Sequence, residues 1–243
     1  MCRSCDDRMI GRRELLAMLG VGLAASSFAL GSGRALAAAS GAKTSKTADE
    51  ALGSLKTGNA RYVASPELCT ADLQKRRADV AEVQAPWATI VSCSDSRVPP
   101  ELLFGGLGVG ELFVARNAGN MVDTATMGTI EYGAAVLGTP LIIVLGHERC
   151  GAVIAACDVV SKKATFPGSI GPMVKAIVPA AMAVRNQPGD FVDNTARESA
   201  KRTAVKIATR SPIIAPLVKN GTVKVIAARY DLDDGKVDYL ALG

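Results

Sequence analysis

Two unbroken apolar runs in the chain each end abruptly in a cluster of polar, chemistry-bearing side chains. Thr89, Ile90 and Val91 lie between Pro86 and the turn Cys93-Ser94-Asp95-Ser96-Arg97. Leu141–Leu145 is continuously apolar, and Gly146 leads into His147-Glu148-Arg149-Cys150-Gly151. Short apolar, β-branched runs without polar alternation are the pattern of strands covered on both faces, as in a parallel sheet. Leu112–Ala115 and Val223–Ala228 read as two further strands. Val237–Leu240 reads as a short final strand behind the turn Asp233-Asp234-Gly235. Between the strands the apolar spacing changes to three and four, which predicts helices. Thr47 or Asp49 caps one that runs through Leu52, Leu55 and Tyr62. Others are expected at Thr126–Leu137, packing through Ile130, Ala134 and Leu137, and at Ala152–Val160. Another is expected at Met173–Arg185, where Pro179 should kink or split it. The last runs from a cap at Asp193 or Asn194 to about Thr209, with Ala196, Ala200, Ala204 and Ile207 on one stripe. Gly105–Gly110 and Lys162–Pro172 read as loops, and Arg116–Asn120 as a polar turn. Strands alternating with helices predict an α/β fold, a mainly parallel β-sheet flanked by helices.

Composition narrows this picture. The 243 residues are 49% hydrophobic and 4% aromatic, enough for one sizeable core and too little to force two domains. The first 38 residues stand apart: Arg3, Arg8, Arg12 and Arg13 precede the mostly apolar Leu15–Leu30, and Ala35-Leu36-Ala37 supplies small residues for cleavage. This is the order of an export signal peptide. Arg12-Arg13-Glu14-Leu15-Leu16 is similar to a twin-arginine signal, with Gly11 and Ala17 departing from it. The expected destination is periplasmic or extracellular in a bacterium. The apolar run, about 16 residues, falls just short of a membrane span, so no stable span is expected after leader cleavage; the alternatives are an ordinary leader or a retained anchor helix. Residues 39–46 are a small, polar linker, and 47–243 form the single predicted domain. The net charge of +5 is scattered (Lys75-Arg76-Arg77, Lys162-Lys163, Lys201-Arg202) and lacks interleaved aromatics. That excludes a nucleic-acid surface. The glycine-rich loop has no Lys-Ser/Thr ending, which excludes a phosphate-binding nucleotide loop.

Candidate chemistry gathers where the two apolar runs end, the place where ligands collect in an open α/β sheet. Cys93, His147 and Cys150 form a thiolate–imidazole–thiolate set suited to one Zn²⁺ per chain. Three protein ligands leave the fourth tetrahedral position open, as in catalytic sites. His147 and Cys150 are three apart and would share a face on a first helical turn. His147 is the one histidine of the chain. A lone histidine is ordinarily a surface or core residue, and its place at a strand end beside a cysteine argues otherwise. Asp95 and Arg97, two apart, form a carboxylate–guanidinium pair. Asp95 can close the site as a fourth ligand, or Arg97 can hold it away to accept a hydrogen bond. A thiol redox role fits poorly, since Cys93 and Cys150 lack a CxxC spacing and Cys2-Arg3-Ser4-Cys5 lies in the leader. Cys69 and Cys157 are expected to be buried small hydrophobes, or else a disulfide.

Cys93-Ser94-Asp95-Ser96-Arg97, Arg116-Asn117-Ala118-Gly119-Asn120 and Gly146-His147-Glu148-Arg149-Cys150-Gly151-Ala152 resemble the signature blocks of the β-class carbonic anhydrases. The likeness runs, with gaps, from about Asp49 to the C-terminus. It implies a β-carbonic-anhydrase-like fold and zinc-dependent, reversible hydration of CO₂ to bicarbonate. An open zinc lowers the pKa of its water to about 7, and the Asp95–Arg97 pair would gate the site between closed and open states. The resemblance assigns Gln84, Phe113 and the Gly151 backbone to substrate binding. In the family the glutamine and phenylalanine reach the site from a neighbouring subunit, which implies a homodimer or higher homo-oligomer. Gly58–Tyr62 is similar to amino-terminal helices that embrace a neighbouring subunit. A tyrosine that some relatives carry near Thr124 is absent here, and Glu148-Arg149 stands where Ser or Thr is often seen. Two alternatives are a related hydrolase of CS₂ or COS, and a zinc-stabilised, non-catalytic protein whose Asp95 fills the site permanently.

Overall fold

The computed structural model describes residues 43–65, 77 and 79–242. The export signal at 1–38, residues 39–42 of the linker at 39–46, and Cys69 lie outside them. The first helix, α1 (Ala48–Ala64), starts at Thr47, whose hydroxyl accepts from the Glu50 N–H at 3.2 Å. The Glu50 carboxylate in turn accepts from the Thr47 N–H at 2.7 Å. This reciprocal box satisfies two N–H groups that the helix itself leaves open. Ala51 and Leu55 turn into the core. Gly58 lets the helix lie directly on the chain at Phe104: a Cβ at this position would stand 1.9 Å from the Phe104 carbonyl oxygen.

The strands are β1 (Ala88–Cys93), β2 (Leu112–Asn117), β3 (Leu141–His147), β4 (Lys224–Tyr230) and β5 (Val237–Leu240). They form one sheet in the order β2-β1-β3-β4-β5, parallel except for the final antiparallel hairpin strand. The predicted α/β architecture with a mainly parallel sheet is thus the one observed. Every residue of β1 and β3 is buried, as their lack of polar alternation requires. Side chains alternate between two apolar layers. Ile90, Leu141, Ile143 and Leu145 pack with Ala51, Leu55 and Phe104 on one side. Val91, Ile142 and Val144 pack with Ile130, Ala200, Ala204 and Ile207 on the other.

The helices after α1 are α2 (Pro100–Leu103), α3 (Thr124–Ala135), α4 (Gly151–Lys162), α5 (Ile170–Lys175), α6 (Val178–Val184), α7 (Phe191–Arg210) and α8 (Ile214–Lys219). Several differ from expectation. The helix expected over Met173–Arg185 is two, and α5 begins inside the segment read as a loop. Pro179 sits in the first turn of α6, where its missing N–H costs no hydrogen bond. Helix α7 is capped by Asp190, whose carboxylate accepts from the Asp193 N–H at 2.6 Å, and not by Asp193 or Asn194. Arg116 and Asn117 belong to β2 and not to a turn. Gly146 and His147 belong to β3, so His147 and Cys150 do not share a helical turn. Among the described residues no helix is long and apolar enough to cross a membrane.

Candidate metal centre

Three chain segments meet at the carboxyl ends of β1 and β3. Cys93 is the last residue of β1, His147 the last of β3, and Cys150 the residue immediately before α4. Between the last two, Arg149 takes a left-handed conformation (φ 50°) and turns the chain sharply enough to bring Cys150 back toward His147. All three side chains are buried. A nitrogen of the imidazole and the two sulfurs lie within 4.8 Å of one another. The sulfurs themselves are 3.9 Å apart. A tetrahedral zinc with bonds to sulfur of about 2.3 Å separates two such sulfurs by about 3.8 Å.

The imidazole is oriented by its own neighbour. Nδ1 lies 2.8 Å from the Glu148 carbonyl oxygen, which can only accept, so Nδ1 carries the proton and Nε2 the lone pair. Nε2 is sealed from solvent and has no hydrogen-bond partner. A buried acceptor without a partner is costly, and a cation between it and the sulfurs removes that cost. The donor set therefore fits zinc. The Cys93 thiol is held well below its ordinary range, first by the hydrogen bond with the Cys150 thiol. Burial opposes this, while His147 and the Gly119 and Asp95 N–H groups reinforce it. Gly119, at φ 81°, directs its N–H at the sulfur from 3.4 Å.

Asp95 and Arg97 lie beside this group. Arg97 donates from Nε and Nη2 to the two carboxylate oxygens of Asp95 at 2.9 and 2.7 Å, and its backbone N–H adds a third bond at 3.0 Å. These bonds, against some burial, hold the Asp95 carboxyl well below the usual carboxylate range. Its Oδ2 stands 3.8 Å from His147 Nε2. The pair expected from sequence is therefore formed, with the carboxylate engaged by the guanidinium.

Gly151 opens α4 next to Cys150, with nothing within 4 Å of the place a Cβ would take. Gln84 and Phe113 are not brought to this group within one chain. Gln84 is exposed in the segment ahead of β1. Phe113 pairs in register with Thr89, four residues before the Asn117–Cys93 rung, which places it about 13 Å back along the strand. Its ring packs beside Tyr132, with centroids 6.1 Å apart.

Other residues support the site without having stood out by residue type alone. Arg116 donates to the Cys93 carbonyl at 2.9 Å and to the Asp95 carbonyl at 2.7 Å, clamping the turn that carries both. The Asn117 side chain ties together Met121 and Thr126. Glu148, Asp231 and Asp233 form a second group of close carboxylates. Arg149 and Arg229 lie among them, which makes an ion-pair network of the cluster. Cys157 is buried with its sulfur 3.4 Å from the Thr195 hydroxyl.

A family model described as carbonic anhydrase matches residues 88–237. Over 184 residues the chain is 37% identical to a carbonic anhydrase of Mycolicibacterium smegmatis, covering 76% of this chain and 89% of that one. It is 36% identical over 182 residues to carbonic anhydrase 2 of Mycobacterium tuberculosis, covering 75% and 87%. Among solved structures, one of two tetrameric β-carbonic anhydrases from Sordaria macrospora aligns with a TM-score of 0.62 at 24% identity. It covers 69% of this chain and 88% of that one. A Coccomyxa β-carbonic anhydrase in complex with acetazolamide aligns with a TM-score of 0.59 at 24% identity, covering 81% and 87%.

Proposed function

The chain belongs to the β-class carbonic anhydrase family, and on that premise we propose that it hydrates CO₂ reversibly to bicarbonate at a zinc site formed by Cys93, His147 and Cys150. The observation that carries this reading is the buried His147 Nε2, unpartnered and facing two thiols while Nδ1 is locked on a carbonyl. Bound there, zinc supplies the Lewis acidity that makes a nucleophile of water at neutral pH. The protein's own groups do the rest. Arg97 occupies both oxygens of Asp95, which keeps the carboxylate ionised and beside the imidazole, ready to accept a hydrogen bond from reacting water. Arg116 fixes the backbone of that turn through two carbonyls. The Gly151 N–H, at the first position of α4, has no partner within the helix and can donate to a bicarbonate oxygen, while those of Ala152 and Val153 are directed at the Cys150 sulfur. The activity for which these relatives are named favours CO₂ over CS₂ or COS. The engagement of Asp95 by Arg97 disfavours a permanently filled, non-catalytic site. Stopped-flow CO₂ hydration by the zinc-loaded chain, with metal counted in the same sample, tests the proposal. One zinc per chain without hydration would overturn it.

The same assay carries a second expectation. Hydration releases a proton that must reach solvent before the next turnover, and a shuttle works best with a pKa near the working pH. The one histidine of the chain is held at Nδ1 and assigned to the metal at Nε2. Carboxylates titrate near 4, about three units below a donor poised at neutrality, so transfer to them is uphill by about 4 kcal/mol. Maximal turnover is therefore expected to rise at least about tenfold with imidazole buffer at constant pH and ionic strength, with kcat/KM unchanged. Equal turnover in very dilute buffer would reveal an internal shuttle.

The position of Gln84 and Phe113, away from their own chain's metal group, supports a homo-oligomer in which they serve a second copy's site. Sedimentation as a monomer at assay concentration would remove that support. The leader pattern supports export by the twin-arginine route, which carries folded chains and suits a dithiolate site best loaded before oxidising conditions. Replacing Arg12 and Arg13 by Lys should strand the precursor in the cytoplasm, and unchanged export would leave only an ordinary leader.

A further inference from the structure

The turn that carries His147 is held from behind by a set of charges remote from it in sequence. Glu148 is tied at three points. Its N–H donates to the Tyr230 carbonyl at 3.0 Å, continuing the β3–β4 ladder by one residue. Its carbonyl accepts the His147 Nδ1 proton at 2.8 Å. Its carboxylate accepts the Leu232 N–H at 3.1 Å and lies 3.8 Å from an Arg229 nitrogen and 3.3 Å from an Arg149 nitrogen. Arg229 is opposite Gly146 in the β3–β4 register. Its side chain is only 8% exposed. It donates from Nε to Asp193 on α7 at 2.8 Å and from Nη1 to Asp231 at 2.5 Å. Asp193 is shared with Arg197, which also reaches Asp238 on β5. A buried guanidinium thus connects the last strands and α7 to the residue whose carbonyl aims the imidazole.

We propose that Glu148 and Arg229 are positioning residues for His147: together they fix the carbonyl that orients its ring, and so set how slowly the site gives up its metal. The inference rests on the zinc reading of Cys93, His147 and Cys150. A guanidinium so well enclosed must be paired to be tolerated. Asp193 and Asp231 already pair it, so the further approach to Glu148 is not needed for neutrality. What that approach does is stop the Glu148 side chain, and with it the peptide, from turning outward. Groups that orient a metal-bound histidine typically contribute 10–100-fold in metal affinity. Glu148 does so through its backbone oxygen while its side chain anchors the peptide.

The test follows zinc transfer from the loaded protein to a chromogenic chelator, in the parent, E148A, R229M, R229K and the double variant E148A/R229M. Visible spectra of the Co²⁺-substituted proteins and melting of the metal-free chains are read alongside. Zinc release is expected to quicken 10–100-fold in E148A and R229M, less in R229K, with altered Co²⁺ bands. The double variant should be no faster than the faster single, because both act through one peptide. Release within twofold of the parent would overturn the proposal, even if the metal-free chains melt earlier. So would effects of the two single substitutions that simply multiply. If R229M does not fold, E148A and R229K decide alone. A parent that takes up no zinc would defeat the underlying zinc reading instead, an outcome read before any variant is compared.

Discussion

Cys150→Ala is expected to reduce zinc from one per chain to below about a tenth and CO₂ hydration by at least about a thousandfold. The side chain is buried, its sulfur is 3.9 Å from that of Cys93, and it precedes the first turn of α4. In the metal-free chain the hydrogen bond with Cys93 and burial push the Cys150 thiol up, with the N–H groups of Ala152 and Val153 opposing them. Removing it leaves one thiolate and one imidazole, too few to hold a metal in a closed pocket. Zinc held by a full protein set is bound by about 10–16 kcal/mol in apparent free energy, so a third of the ligands is worth several orders of magnitude in affinity. The loss of one sulfur atom costs little packing by comparison, and near-parent circular dichroism of the metal-free protein separates the two effects. Cys157→Ala is the matched control. Its sulfur contacts Thr195 on α7 and lies outside the metal group, so zinc content should stay at one per chain. Full zinc occupancy in Cys150→Ala would remove this residue from the ligand set.

The contrast between these two cysteines shows what could be read before any coordinates. Cys93, His147 and Cys150 stand where apolar runs end, and a run such as Leu141–Leu145 has few conformations open to it apart from a doubly covered strand. Residues at its carboxyl end inherit their place from that one inference. The alanine stripe of α7 was legible for the same reason, since Ala196, Ala200, Ala204 and Ile207 recur at helical spacing and are buried. Legibility fails where the decisive partner is distant in sequence. Gly146 and His147 extend β3 because Arg229 and Tyr230 continue the ladder opposite them, and no local signal says so. Arg116 looks like a surface charge until the Cys93 and Asp95 carbonyls are placed within its reach. For the cap of α7 the sequence pointed to Asp193 or Asn194, residues of the right type three and four positions too late. Asp190 takes the role, and Asp193 is released to pair with Arg197 and Arg229. Short helices such as α2 and α8 bury too few residues to leave a periodic trace.

Arg97→Leu is expected to leave zinc at one per chain yet lower kcat/KM about a hundredfold, a barrier increase of about 2.7 kcal/mol. The Asp95 carboxylate has three donors, and all three come from Arg97: the backbone N–H, Nε and Nη2. Substitution removes the two charged ones and leaves an anion 3.8 Å from His147 Nε2. Arg116 is held on the backbone carbonyls of Cys93 and Asp95, so nothing replaces the lost fork in restraining the carboxylate from the metal position. A carboxylate that moves there fills the place meant for water and shuts the site, as the sequence pattern allowed. The side chain of Arg97 is 52% exposed, so its removal opens no cavity and folding should survive. Two further readouts separate this account from general damage. Zinc release should become slower in Arg97→Leu, because a ligand is gained, whereas Cys150→Ala loses metal altogether. Adding Asp95→Ala to Arg97→Leu should reverse that slow release, since no carboxylate remains to close the site, while activity stays low because the acceptor for reacting water is gone. Arg97→Lys keeps the charge without the planar fork, and its activity should fall between the parent and Arg97→Leu. Parent-level kcat/KM in Arg97→Leu would mean that Asp95 needs no restraint, and the gate would have to be sought elsewhere.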